Sequence, residues 1–411
     1  MLARRADDSL VTPWLEVFWR FLRLGLTSFG GPIAHLGYFR REFVERARWL
    51  DGAAFGELLA LCSVLPGPTS SQLGLLLGFR RAGAGGALAA WLGFTLPSAA
   101  AMVAFGVWLR AASLGEGRGV HTPLLHGLTE GLLAAAAGVV ALAVLQMART
   151  FATTRPTRGI ALVAFAIALG LNRYAPALQW LPLVLGGALG ARWAPGGSLP
   201  RGVTALAIPR RTGAIAAGVL ALLLFGLPIV APPGGGLALF ALCFRAGSLV
   251  FGGGHIMLPF LQSAIGPVVS GRVFFAGYGA AQALPGPLST FAGFLGAANR
   301  SDPNGVAGAA VALAGIFAPS FLLLLIAVPL WRALRELPRA AAVLAGVGAA
   351  VVGLLGAVLV DPIATSLARD PLGIALALAT FGTLATTRVP AWAVVIASAA
   401  VGAAVENLGR R

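Results

Sequence analysis

Of 411 residues, 58% are hydrophobic and 11% are charged, less than half the roughly 25% charged residues of an average soluble protein. That composition excludes a soluble enzyme or any large soluble domain. The formal net charge of +16 comes from arginine alone, since the chain has no lysine, and it falls mostly in short loops between apolar runs. Such loops report which side of a membrane they lie on, so the charge is not a nucleic-acid footprint.

Taken in order, Met1 to Pro13 carries Arg4 and Arg5 but no apolar run ending in a small-residue cleavage site, so no removable signal peptide is expected. Apolar segments follow at 14–34, 55–81, 84–109, 124–148, 159–172 and 177–193, and 213–231 then stands alone. Most are near the ~20 residues needed to cross a hydrocarbon core of roughly 30 Å. The pattern restarts at 237–262, 272–298, 304–331, 339–360, 371–387 and 390–405.

The restart is a duplication. Arg23-Leu24-Gly25-Leu26-Thr27-Ser28-Phe29-Gly30-Gly31 matches Arg245 to Gly253 at Arg, Gly and Phe-Gly-Gly, with identical internal spacing. Pro66-Gly67-Pro68 matches Pro285-Gly286-Pro287, and Gly83 to Ser98 matches Gly305 to Ser320, including Pro97-Ser98 with Pro319-Ser320. Seven segments separate the starts of the two copies, and an odd number of crossings turns the second upside down. The expected fold is an all-α integral membrane protein of two inverted-topology repeats with about six hydrophobic segments each. They occupy 1–205 and 237–411, joined by one extra span within 206–236, with broken or re-entrant helices at Phe-Gly-Gly and Pro-Gly-Pro. Most arginine clusters then lie inside. Arg40, Arg41, Arg46 and Arg48 disagree unless the Phe-Gly-Gly and Pro-Gly-Pro segments both enter and leave on one side, as buried irregular backbone can.

Proline inside a helix removes a hydrogen bond and clashes one turn back, so Pro-Gly-Pro ends one helix and lets the next begin on Pro68 or Pro287. The freed amides of Thr69, Ser70 and Ser71, and of Leu288, Ser289 and Thr290, carry the positive end of a helix dipole and suit an anion. Paired half-helix termini near the midplane are a recurring transporter design. Arg23 and Arg245 each place a charge within an apolar segment, at about 2.5–3.5 kcal/mol on insertion scales, unless an acceptor or the interface relieves it. The candidate anion-binding residues are therefore Arg23, Ser28, Gly30, Gly31, Pro66, Gly67, Pro68, Thr69, Ser70, Arg245, Gly252, Gly253, Gln282, Pro285, Gly286, Pro287, Ser289 and Thr290. Arg20 has no counterpart in the second half and reads as interfacial. Among intramembrane acids, Glu57, Glu130 and Asp361, Glu57 is the proton-coupling candidate. His35 and His255 follow the Phe-Gly-Gly motifs at unequal distances and read as packing residues, with no metal-ligand spacing. Cys62 and Cys243 read as buried, inert thiols. No cofactor is expected. No phosphate-binding loop and no nucleophile-and-base spacing is present, which argues against an ATPase or another enzyme.

Leu24 to Pro32 with Leu65-Pro66-Gly67-Pro68, repeated as Phe251 to Gly254 with Leu284-Pro285-Gly286-Pro287, closely resembles the two-domain chromate ion transporters. The resemblance spans nearly the whole chain and is weakest over 124–236 and 339–411. It implies a multi-pass protein of the bacterial cytoplasmic (inner) membrane that exports chromate, with sulfate as the look-alike oxyanion and a passive anion channel as the competing class. The expected partners are that oxyanion and the lipid bilayer, with no nucleic acid, and a homodimer is compatible with the sequence.

Overall fold

The computed structural model describes residues 12–114, 123–175, 178–194, 208–232, 234–250, 255, 257–265, 269–337 and 339–408. Every regular element among them is helical. The first half contains α1 (Pro13–Thr27), α2 (Gly31–Arg40, prolonged by a π-helical turn, Arg41–Arg46), α3 (Gly52–Val64), α4 (Thr69–Leu114), α5 (Pro123–Phe151), α6 (Arg155–Tyr174) and α7 (Leu181–Trp193). A connecting span follows as α8 (Arg210–Ala221), a π turn (Leu222–Gly226) and α9 (Leu227–Val230). The second half contains α10 (Gly236–Ser248), α11 (Met257–Ile265), α12 (Gly271–Gln282), a 3-10 turn (Leu288–Thr290) leading into α13 (Phe291–Ala297), and α14 (Gly305–Glu336). It closes with α15 (Ala340–Val358), a π turn (Leu359–Ala364), α16 (Thr365–Leu367), α17 (Pro371–Thr386) and α18 (Ala391–Leu408).

Helix starts follow local chemistry. Asp51 caps α3 by accepting from the Ala54 amide at 2.8 Å, and Thr154 and Thr157 form a capping box on α6. Thirteen apolar segments were expected, and among the described residues six helices are long and apolar enough to cross a membrane: Thr69–Ala112, Leu124–Phe151, Arg210–Val230, Gly305–Trp331, Ala340–Leu367 and Ala391–Leu408. The breaks account for part of the difference. They cut α3, α10 and α13 to half-spans of 13 residues or fewer.

Helix α4 is itself two limbs. Ala82 and Gly83 leave helical geometry, and a Cβ placed on Gly78 would lie 2.8 Å from the Ala90 Cβ. Twelve residues of continuous helix would hold those positions about 18 Å apart, so 69–81 and 84–114 fold back on each other. In the second half α13 and α14 make the same hairpin, with Gly296 against Gly308 as Gly78 lies against Gly86.

Small residues let backbones meet where lipid supplies no hydrophobic drive. Gly25 of α1 lies against the Phe94 carbonyl in the second limb of α4, 2.7 Å from an added Cβ, and its counterpart Gly247 of α10 lies against the Ile316 carbonyl of α14. Other contacts cross between halves. Helix α5 packs on α17 and α18, joined by Ser398 Oγ donating to the Gly131 carbonyl at 3.1 Å, while α15 packs on α6 and α7. Each half therefore supplies one long helix to the terminal pair of the other. The connecting span is left mostly bare, with Ile215, Leu222 and Phe225 near 70% exposed, as suits a helix facing lipid.

Candidate functional site: two crossed helix breaks

Each Pro-Gly-Pro break is held by the other half of the chain. The Gly67 amide donates to the Val250 carbonyl at 2.5 Å, and the Gly286 amide donates to the Ser28 carbonyl at 3.1 Å. Val250 and Ser28 are equivalent residues of the two copies, each just before Phe-Gly-Gly. The side-chain neighbours are exchanged in the same way. An added Cβ on Gly67 would lie 3.1 Å from Ser320 Oγ and collide with the Gln72 amide, while one on Gly286 would lie 2.7 Å from Ser98 Oγ. Gly67 and Gly286 have φ of +125° and +96°, a region open to glycine and strained for other residues. Glycine is thus required at both positions by conformation and by the close approach of the opposite repeat.

The first break opens α4, whose first helical bond runs from the Gln72 amide to the Pro68 carbonyl at 3.0 Å. The amides of Thr69, Ser70 and Ser71 precede it and point out of the helix end. All four side chains are buried, with Gln72 fully so. Gln72 Nε2 donates to the Pro66 carbonyl at 2.6 Å, which fixes the orientation of its amide. Ser70 Oγ meets His35 Nδ1 at 3.3 Å, and His35 Nε2 meets the Ser28 carbonyl at 3.1 Å. Ser28, Ser70 and the two breaks therefore form one buried polar centre inside an apolar protein.

Several side chains in that centre have no hydrogen-bond partner among the described residues: Ser28 Oγ, Ser71 Oγ, Gln72 Oε1 and Ser320 Oγ. A buried group left unpaired costs about 1–3 kcal/mol, so these groups offer hydrogen bonds that a polar ligand could complete. The donors on offer are hydroxyls and helix-terminal amides, which suit an anion.

The candidate residues divide. Ser28, Gly67, Pro68, Thr69, Ser70, Gly286, Pro287, Ser289 and Thr290 are buried at the breaks, with Pro66, Pro285 and Gln282 half-buried beside them. Gly30 and Gly31 join α1 to α2. Gly252 and Gly253 lie outside the described residues. Arg23 is exposed on α1. Arg245 is half-buried and lines a groove of about 780 Å³ with Trp180, Val184, Phe225, Leu249 and Val347, a lining that includes no Pro-Gly-Pro residue. The structure therefore does not bring either arginine to the breaks. Glu57 is half-buried on α3, two turns before the first break. Glu130 pairs instead with Arg272 at 3.4 Å, and Asp361 Oδ1 accepts from Thr365 Oγ1 at 3.3 Å. Arg20 bonds Glu16 at 2.9 Å and Glu42 at 2.6 Å, tying α1 to the π turn after α2. Cys62 and Cys243 are buried free thiols.

Gln72, Ser98, Ser320 and Val250 are site residues that motif reading passed over. Ser98 and Ser320 were visible as equal positions of the duplication, but nothing local showed that each would face the opposite break.

Comparison with known proteins agrees with this duplicated layout. The family model described as chromate transporter matches residues 15–191 and 237–403. A chromate transport protein of Pseudomonas aeruginosa is 32% identical over 366 residues, covering 87% of this chain and 82% of that protein. One from Cupriavidus metallidurans is 29% identical over 350 residues, covering 83% and 80%. An uncharacterized transporter of Methanocaldococcus jannaschii is 26% identical over 337 residues, covering 78% and 77%. No solved structure matches the chain. The two matched stretches are the two halves whose breaks interlock, and this multi-pass membrane protein belongs to the chromate transporter family.

Proposed function

We propose that the chain is a secondary active transporter that exports chromate across the bacterial inner membrane by alternating access. Its two repeats have inverted topology, and the tetrahedral oxyanion binds where the two Pro-Gly-Pro breaks cross. The observation that carries this reading is the exchanged pair of main-chain bonds, Gly67 to Val250 and Gly286 to Ser28, around unpaired buried hydroxyls. Contacts that recur with the partners exchanged are what a two-fold relation produces. When that axis lies in the membrane plane, the helix ends approach one central site from opposite faces. Arg23 and Arg245 lie off this centre and act on the anion's approach, through long-range attraction.

Chromate uptake into inverted vesicles tests the function. Accumulation should depend on an imposed proton gradient or on a counter-anion, and flux indifferent to every gradient would indicate a passive channel. Sulfate competition in the same vesicles measures selectivity between the two oxyanions. Single cysteines at Ala82 and Asn304 test the inversion, since both native thiols are buried and should label slowly. Labelling from opposite sides of the membrane is expected, and labelling from one side alone would refute the inversion.

A further inference from the structure

We propose that His35 and Ser70 form a proton-operated switch that makes the first break accept an anion only together with a proton. The inference rests on the anion site proposed above. Three observations carry it. His35 Nε2 faces a backbone carbonyl, that of Ser28 at 3.1 Å, and a carbonyl can only accept, so this nitrogen bears the ring proton. His35 Nδ1 is then the bare nitrogen of the neutral ring, and at 3.3 Å it accepts a hydrogen bond from the Ser70 hydroxyl. Ser70 thereby spends its one donor on the histidine and turns lone pairs toward the amides that open α4, which disfavours an anion there.

Protonation reverses the arrangement. A proton taken up at Nδ1 makes that nitrogen a donor to Ser70 Oγ, and the hydroxyl hydrogen is released to point at the helix end. One proton is bound, no covalent bond to carbon changes, and the site gains both a donor and a positive charge one hydroxyl away. His35 is 1% exposed, so its charged form is costly unless a counter-charge arrives. The groups facing it are Ser28 at the end of α1, Ser70 at the start of α4 and the Phe94 ring from the second limb of α4, edge-on at 5.2 Å. None of these is charged or titrates near neutral pH. On its own helix Arg40 lies at the far end; on α1 Arg23 is exposed and Glu16, in the first turn, is already paired with Arg20 and Arg81, so no free acid on these elements supplies the counter-charge. The anion itself does, and by linkage each ligand then tightens the other. His255 is not its equivalent: it follows the second motif at a different distance, and its Nδ1 meets the Tyr278 hydroxyl of α12 at 2.6 Å, not a residue that opens the second break.

The test is chromate binding to the purified full-length protein in detergent between about pH 6 and pH 8. Wild-type affinity should rise as pH falls, by up to about tenfold per pH unit for one linked proton. His35→Gln and Ser70→Ala should each flatten that slope, while Glu57→Gln keeps it. Comparison among variants cancels the titration of chromate itself. Proton uptake on adding chromate to wild-type protein provides a readout that needs no variant, and no uptake beyond that of the ligand overturns the switch. A wild-type slope in either His35→Gln or Ser70→Ala also overturns it, and loss of slope in Glu57→Gln alone assigns the proton to Glu57. A wild-type protein that binds chromate at no pH refutes the anion site instead, so the two failures are distinct.

Discussion

The two breaks share a backbone and differ in side chains. After Gly67 the chain enters an α-helix at Thr69 and presents Ser70, Ser71 and Gln72, whereas after Gly286 it first makes a 3-10 turn over Leu288–Thr290 and places Phe291 where the first copy has Gln72. Thr290 Oγ1 is already committed, donating to the Pro287 carbonyl at 2.9 Å. The glycine turn and its main-chain bond to the opposite repeat have thus been kept in both halves, while polar chemistry is concentrated in the first. Scaffold and specificity are separable here: the backbone crossing needs both glycines, and the ligand chemistry needs mainly one set of side chains.

The largest expected effect tests the shared part. Gly67→Ala and Gly286→Ala should each abolish chromate transport in vesicles, because left-handed backbone costs an L-residue about 1–2 kcal/mol and the added methyl meets the opposite repeat. Near-normal transport by Gly286→Ala would mean that only the first crossing matters. Next comes the unshared part. Gln72→Leu, which makes the first break resemble the second, should weaken chromate binding by about tenfold in a detergent titration, since it removes the Pro66 bond and an unpaired polar group. Thr290→Val, whose hydroxyl is spent within its own turn, should change affinity by less than about threefold.

The arginines separate further down the scale. Arg245 is half-buried in its groove and Arg23 is exposed, so Arg245→Gln should slow initial uptake about fivefold through lost attraction of the anion, and Arg23→Gln by less than about twofold. Equal effects would restore the symmetric role suggested by their equal spacing. The smallest effect belongs to Arg20→Gln. Arg20 is about one-third exposed and its partners Glu16 and Glu42 are 26% and 13% exposed, so the loss should be near the upper end of roughly 0.2–1 kcal/mol in a thermal melt, with transport unchanged.

Much of this was legible from residues alone. Helical class, membrane placement and the positions of the duplicated motifs follow from hydropathy and from Pro-Gly-Pro, because proline geometry acts within a few residues. The number of crossing helices was not legible, since a hydropathy run does not show whether Ala82-Gly83 is a loop between spans or the turn of a hairpin. The placement of Arg23 and Arg245 was not legible for a similar reason. Equal spacing proves duplication, but which face of α1 or α10 carries a side chain depends on packing against α4 and α14. The dependence of each break on Ser98 or Ser320 was invisible because those residues lie 31 and 253 positions from Gly67 and belong to opposite copies.

The exchange of partners around Gly67 and Gly286 also changes how genetic data on this chain should be interpreted. Sequence proximity would group Gly67 with Ser98, both in the first repeat, yet the residue against Gly67 is Ser320 and the residue against Gly286 is Ser98. In a grid of paired substitutions, epistasis should therefore concentrate off the diagonal, on Gly67 with Ser320 and on Gly286 with Ser98, while Gly67 with Ser98 stays closer to additive. Suppressors of a lesion in one repeat would then be found in the other.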